Sequence, residues 1–247
     1  MKSNTNESAL ASVQRRPSLL RQQNNGKPSA ATRALVIVAH PEDEILWVGG
    51  MIMMHPNWNW RIVSVCQDVN RTQRNRFLAS LQQLGSSGFI VNMSSDSKSD
   101  VFGKSTMQNA FRSAMENTSY DVLITHSPSG ESRQQVENGY VGEAALSLWQ
   151  QKELKIGEMW MFAYANGDES SLPSAIETAD IVVRLASDMW NRKCDLLRQV
   201  YHFTTDSLQV RTAPATEAFW YFDNSDQAME WYHSQAKIKL CTPITSS

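Results

Sequence analysis

Cysteine is scarce in this chain. Cys66, Cys194 and Cys241 are its only three, odd in number and far apart, which argues against a disulfide framework and against a cysteine-built zinc site. Long apolar runs are missing too. No stretch approaches the roughly 18 residues a membrane helix needs, and no signal-peptide core precedes a small-residue cleavage site. Net charge is also small, at −2. That figure hides an asymmetry: six cations against Glu7 give residues 1–33 a formal +5, which leaves −7 for the remainder. An acidic body argues against nucleic acid as a partner. Together these absences predict a soluble, cytoplasmic protein with no integral membrane segment. The Arg- and Ser-rich, acid-poor makeup of the first 33 residues overlaps with organelle transit peptides, so import is the alternative.

What remains is enough for one sizeable core. With 247 residues, of which 41% are hydrophobic, a single domain over residues 34–247 is expected. Residues 1–33, rich in Ser, Asn, Gln and Arg and without an apolar period, are expected to be a disordered basic tail. From Ala34 onward strands and helices alternate. Strands are predicted at Ala34 to Ala39, Arg61 to Gln67, Gly88 to Met93, Asp121 to His126, Glu158 to Tyr164 and Ile176 to Leu185. Helices are predicted at Ile45 to Met54, Thr72 to Leu84, Met107 to Asn117, Val141 to Gln151, and from Ser187 as its cap through Val200. Strands separated by such helices imply right-handed crossovers and an α/β fold: an open, mostly parallel, doubly wound, Rossmann-like sheet with helices on both faces. The aromatic C-terminal part, with Phe219-Trp220-Tyr221-Phe222 and Trp231-Tyr232, reads as irregular cover for a sheet edge.

The chemistry concentrates at Ala39 to Glu44, where an apolar strand runs into an imidazole and three carboxylates. Open α/β sheets keep ligands at the carboxyl ends of their strands. A cation such as Zn²⁺ accepts imidazole nitrogen and carboxylate oxygen, and a catalytic site uses three protein ligands plus water. His40 and Asp43 are spaced for two of those places if Pro41 turns the chain sharply. Glu42 then stands beside the metal as general base, and Glu44 favours the helix dipole. The alternative is a solvated acidic helix start, with His40 satisfied by a backbone group.

His40-Pro41-Glu42-Asp43-Glu44 followed by Gly49-Gly50 resembles the His-Pro-Asp-Asp-Glu and Gly-Gly signature of the LmbE/PIG-L-like deacetylases. These are zinc-dependent enzymes that remove acyl groups from N-acetylglucosamine-type substrates. Phe77 to Gly85, Asp121 to His126, Val141-Gly142 with Ala144, and Lys193 with Leu197 and Tyr201 are similar to later segments of that family. The likeness spans Ala34 to Tyr201. It implies His40 and Asp43 as metal ligands and Glu42 in place of the family's Asp base, one methylene longer.

The family's His-x-x-His before Val-Gly falls on Gln135 and Asn138. The resemblance therefore implies Gln135 as the catalytic residue that assists the tetrahedral intermediate and Asn138 as the third metal ligand. Asn is a poor zinc ligand, so zinc, a harder divalent cation, or no metal all stay open. Gln135 can orient an oxyanion but cannot supply a proton. His126 and Asp68, at strand ends, and Arg74, in a region where the family holds substrate hydroxyls, are candidate contacts to an amino-sugar or N-acyl substrate. Arg71, Arg74 and Arg76 read equally as an exposed helix face. Glu131 and Glu137 are either additional metal-binding carboxylates or solvated loop residues. Two functions follow: a metal-dependent deacetylase that hydrolyses a linear amide, or a degenerate member acting as a sugar-binding or scaffold protein.

Overall fold

The computed structural model describes residues 31–93, 104–115, 118–131, 136–165 and 172–241. The expected tail lies outside them except for its last three residues. The chain runs β1 (Arg33–Val38), α1 (Asp43–Leu46), α2 (Gly49–Met54), β2 (Asn59–Gln67), α3 (Arg71–Gln83), β3 (Ser87–Met93), α4 (Lys104–Met115), β4 (Tyr120–Thr125), α5 (Val136–Gln150) and β5 (Ile156–Phe162). It continues through β6 (Tyr164–Ala165), β7 (Ser174–Ala175), β8 (Ile181–Arg184), α6 (Ser187–Gln199), α7 (Leu208–Thr212), β9 (Thr216–Phe222) and α8 (Ser225–Cys241). Seven strands form one sheet in the order β3-β2-β1-β4-β5-β9-β8. The first five are parallel, and β9 is antiparallel to both of its neighbours.

The uninterrupted apolar run of β1 follows from its central place. Ala34, Val36 and Val38 enter one core with Ile45, Ile52, Phe77 and Leu197. Leu35, Ile37 and Ala39 enter the other with Phe111, Val141, Leu148 and Ala228. A parallel strand covered on both faces needs apolar residues at every position. The doubly wound α/β expectation therefore holds.

Four local expectations do not. Residues 45–54 form two short helices rather than one, because the N–H groups of Gly50 and Met51 turn to Glu217, donating to Oε1 at 2.7 Å and Oε2 at 2.8 Å. The expected strand 176–185 is reduced to β8, with the two-residue β7 just before it in a different sheet. Residues 219–222 are not irregular cover: they belong to β9, paired on both sides, and Trp231 lies on α8 against Trp220 and Phe222 at 5.6 and 5.3 Å. The missed cue was strand propensity, since a run of four aromatics fits a pleated surface without alternating. At α6, Ser187 is the first helical residue, and Ala186 occupies the cap position without a side-chain bond.

Two glycines permit close approaches near the ends of β1 and β4. A Cβ on Gly50 would lie 2.4 Å from Leu185, and one on Gly142 would lie 2.5 Å from the backbone of Ser127 and Pro128. The second approach brings α5 hard against the loop that follows β4. Under α2, Lys193 and Glu217 form a fully buried ion pair, Nζ to Oε1 at 2.7 Å, with Nζ also donating to the Pro214 carbonyl. Breaking such a pair strands one charge in the core. Lys193→Met is expected to cost about 3–5 kcal/mol in urea denaturation, and Lys193→Met with Glu217→Gln to recover much of that loss; equal stabilities for wild type and the single variant would show that the pair carries nothing.

Candidate functional site

Strand order places β1 beside β4, and their crossovers leave toward opposite faces of the sheet. That divergence opens a crevice at the carboxyl ends of the two strands. The loop after β1 carries His40 to Glu42, and the loop after β4 carries His126 to Glu131. Both edges of the crevice are therefore lined by polar side chains.

Asp43 sits at its centre, wholly buried. Its Oδ2 accepts the His40 N–H at 2.9 Å, and its Oδ1 accepts the Trp47 indole N–H at 3.0 Å. His40 Nδ1 and His126 Nε2 each lie 3.4 Å from Oδ2. Burial works to raise the carboxyl's pKa, but the interactions with His126 and His40 outweigh it and hold the group well below the usual range. The His40 pKa is raised, since Asp43 and Glu137 overcome the opposing effect of burial and of His126.

His126 is wholly buried, with both ring nitrogens engaged. Nδ1 lies 2.6 Å from Glu131 Oε2, and the Ala39 N–H points at Nε2 from 3.0 Å. Burial opposes a second proton, while Glu131 and Asp43 pull the ring up to about 9. The Ala39 amide works against that pull, because an N–H can donate only to an unprotonated nitrogen: with Nε2 free of a proton, the ring's one proton sits on Nδ1 and is given to Glu131. The ring is enclosed, edge-on to Phe162 at 5.1 Å, with its Nε2 meeting the Ala39 N–H just past β1.

Glu131 is the hub of the second loop rather than a solvated carboxylate. It is fully buried, and it also accepts the Ser127 N–H at 3.1 Å and the Asn138 Nδ2 at 2.9 Å. Because a carboxylate can only accept, Asn138 must turn its amide nitrogen toward Glu131, which leaves Oδ1 to face elsewhere. Asn138 Oδ1 and His40 Nδ1 are two of the few buried side-chain atoms without a hydrogen-bond partner among the described residues.

No protein-family model matches the sequence, and no curated protein sequence does either. Solved structures are similar in fold. The N,N'-diacetylchitobiose deacetylase of Pyrococcus horikoshii superposes with a TM-score of 0.59 over 87% of this chain and 88% of that one, at 13% identity. An antimicrobial pseudoaglycone deacetylase gives 0.52 over 78% and 98%, at 12% identity. The zinc-inhibited form of teicoplanin deacetylase gives 0.51 over 79% and 100%, at 11% identity. The chain has the LmbE/PIG-L-type deacetylase fold.

Within that deacetylase fold, the other expected residues fall unevenly. Asp68 and Arg74 are exposed, at the end of β2 and in the first turn of α3. Gln135 lies outside the described residues. Glu42 is half-buried, with a left-handed φ of 97°. Burial pushes its carboxyl well up, reinforced by the charges of Asp43 and Glu44, while the Gln209 side chain pulls the other way. The solvated-helix alternative for this segment fails, since Asp43 and Glu44 are wholly enclosed.

Among the described residues no group of three His, Cys, Asp or Glu side chains is arranged to hold a metal ion. The donors that would fit a cation are His40 Nδ1, the Asp43 carboxylate and Asn138 Oδ1, two of them lacking any other partner. Imidazole, carboxylate and amide oxygen together suit a harder ion better than zinc's preferred donors would.

Sequence reasoning missed Glu44, assigning it only to the helix dipole. It is buried and accepts from Ser80 Oγ at 2.5 Å, Tyr201 OH at 2.7 Å and the Glu42 N–H at 2.9 Å. A carboxylate flanked at fixed spacing by other acids offers no sequence signal for partners 36 and 157 residues away. Burial raises its pKa to about 7, against the pull of these donors. The unfolded chain releases that proton at an ordinary glutamate pKa and the folded chain only near 7, so the stability it confers is full below the lower value and lost as pH rises through the upper one. Glutamine mimics the protonated form. In chelator-treated protein, the stability of Glu44→Gln relative to wild type is expected to rise by about 2–3 kcal/mol between about pH 5 and about pH 8, read by urea denaturation; a pH-independent difference would show that Glu44 titrates as in water.

Proposed function

We propose that this chain is a metal-dependent amide hydrolase of the deacetylase kind, acting on an N-acylated amino sugar or related amine. A divalent cation would be held by His40, Asp43 and Asn138, with Glu42 as general base. The observation that carries this reading is a pair of buried side-chain atoms without a hydrogen-bond partner: His40 Nδ1, 3.4 Å from Asp43 Oδ2, and Oδ1 of Asn138, whose Nδ2 meets Glu131 and through it His126, itself 3.4 Å from Asp43. Buried polar atoms are nearly always paired, so two left open call for a binding partner.

The chain's own residues divide the work. Asp43 keeps its negative charge despite burial, which is what a cation ligand requires. Its donors fix the carboxylate's orientation, much as neighbours orient ligands in other metal sites. Glu42 is pushed toward neutrality, where a general base can both take and return a proton. Gln135 would contribute amide donors to the oxyanion, and Asp68 and Arg74 would meet substrate hydroxyls at the rim. A divalent cation held there supplies Lewis acidity and makes water a nucleophile near neutral pH. Zinc is the cation the sequence resemblance implies, and the amide donor favours a harder one.

Asn138 also supports a second reading, in which the fold binds an amino sugar without turning it over. The two readings part on metal content and on turnover. Metal analysis of untreated protein is expected to give about one divalent ion per chain, and Glu42→Gln to lower turnover of an N-acetylated amino sugar by about 100- to 10,000-fold with metal content unchanged. Metal-free protein would sink the hydrolase. Gln135→His with Asn138→His is expected to raise zinc affinity by at least about 10-fold in competition with a chelator; no gain would mean that these positions do not face the cation.

A further inference from the structure

The conformation of Glu42 is unexplained by the catalytic reading alone. A φ of 97° is rare for any residue but glycine and costs on the order of 1–3 kcal/mol, so something must impose it. The helix that follows takes only the Glu42 carbonyl, which accepts the Ile45 and Leu46 N–H groups at 3.0 and 2.9 Å, and no side chain caps α1. What holds it is underneath. The Glu42 N–H donates to Glu44 Oε2, while Glu44 Oε1 is gripped by Ser80 of α3 and by Tyr201, just past α6. The Ser80 and Tyr201 oxygens are themselves 3.3 Å apart, and Ser80 Oγ also lies 2.9 Å from the Phe77 carbonyl. Glu44, Ser80 and Tyr201 are all buried, so the platform is enclosed by three separate elements.

We propose that Glu44, anchored by Ser80 and Tyr201, is a positioning residue that pins the Glu42 backbone in its left-handed conformation and so sets its carboxylate beside Asp43. This rests on the reading of Glu42 as general base for its consequence in catalysis, but the backbone claim stands apart from it. Glu44 itself touches no reacting group. It acts by accepting one N–H that a relaxed backbone would turn away.

The test compares full-length Glu42→Gly and Glu42→Ala proteins by urea midpoint, with position 44 left as Glu or changed to Gln or Met. Glycine adopts positive φ freely, whereas alanine does not. With Glu44 present the Gly variant should have the higher midpoint, and Glu44→Gln, which keeps an acceptor for the N–H, should preserve that order. Glu44→Met removes the acceptor at similar volume, and the advantage of Gly should vanish or reverse. Should the Met proteins not fold, Ser80→Ala with Tyr201→Phe takes their place, and the Gly advantage should shrink. A Gly advantage that persists without the acceptor, or that is absent in the wild-type background, overturns the proposal.

The catalytic consequence is read on zinc-loaded protein with N,N'-diacetylchitobiose. Glu44→Met is expected to lower kcat by about 10- to 100-fold at unchanged KM and zinc content, and Glu44→Gln to restore most of it. If Glu42→Gln turns over as fast as wild type, the general-base reading falls, and the midpoint comparison still decides the backbone claim by itself.

Discussion

The buried carboxylate of Asp43 is the constraint around which the crevice is built. A charge with no exposure survives only if donors surround it. Here they come from the backbone of the β1 loop and the indole of Trp47, with the imidazoles of His40 and His126 each 3.4 Å away. Each donor is thereby committed to a position. His126 cannot swing outward without abandoning Glu131, and Glu131 cannot move without releasing Asn138 and the Ser127 backbone. The two loops at the switch between β1 and β4 are held as one object, and α5 is pressed onto them at Gly142.

The other support comes from the far side of the sheet. After five parallel strands the chain departs, returns as β9 and delivers Glu217 under α2, where two backbone amides and Lys193 converge on it. That capture ends α1 early and starts a new helix in a new direction. The geometry of the first loop thus depends on a strand formed some 170 residues later. Such long-range closure is characteristic of folds whose local signals understate their tertiary demands.

This explains which parts of the protein were readable. The parallel half was legible because its strands, buried on two faces, spell continuous apolar runs, and because α3 carries its own start and stop: the Asn70–Gln73 capping box and Gly85 at a φ of 64°. The antiparallel half was not. Its aromatic strand does not alternate, and β8, which pairs it on one side, keeps only four residues of the expected strand 176–185. In the site, His40, Asp43 and Asn138 could be named from spacing and resemblance, and the structure ties them into one network. Glu44, Glu131, Ser80 and Tyr201 could not be recognised, because a buried polar group is identified by partners that lie far away in sequence. His126 could be noticed from its place at a strand end, but not its two carboxylate neighbours, Glu131 and Asp43.

Trp47 gives the site a property of a different kind. Its indole N–H is bonded to the carboxylate at the centre of the crevice, and its ring lies 4.7 Å from that of Tyr164 in a region closed to water. The excited state of an indole responds to the field along that N–H bond. Any cation or proton arriving at Asp43 alters that field directly, so among the chain's eight tryptophans Trp47 is an optical sensor whose emission responds to the electrical state of this wholly buried acid.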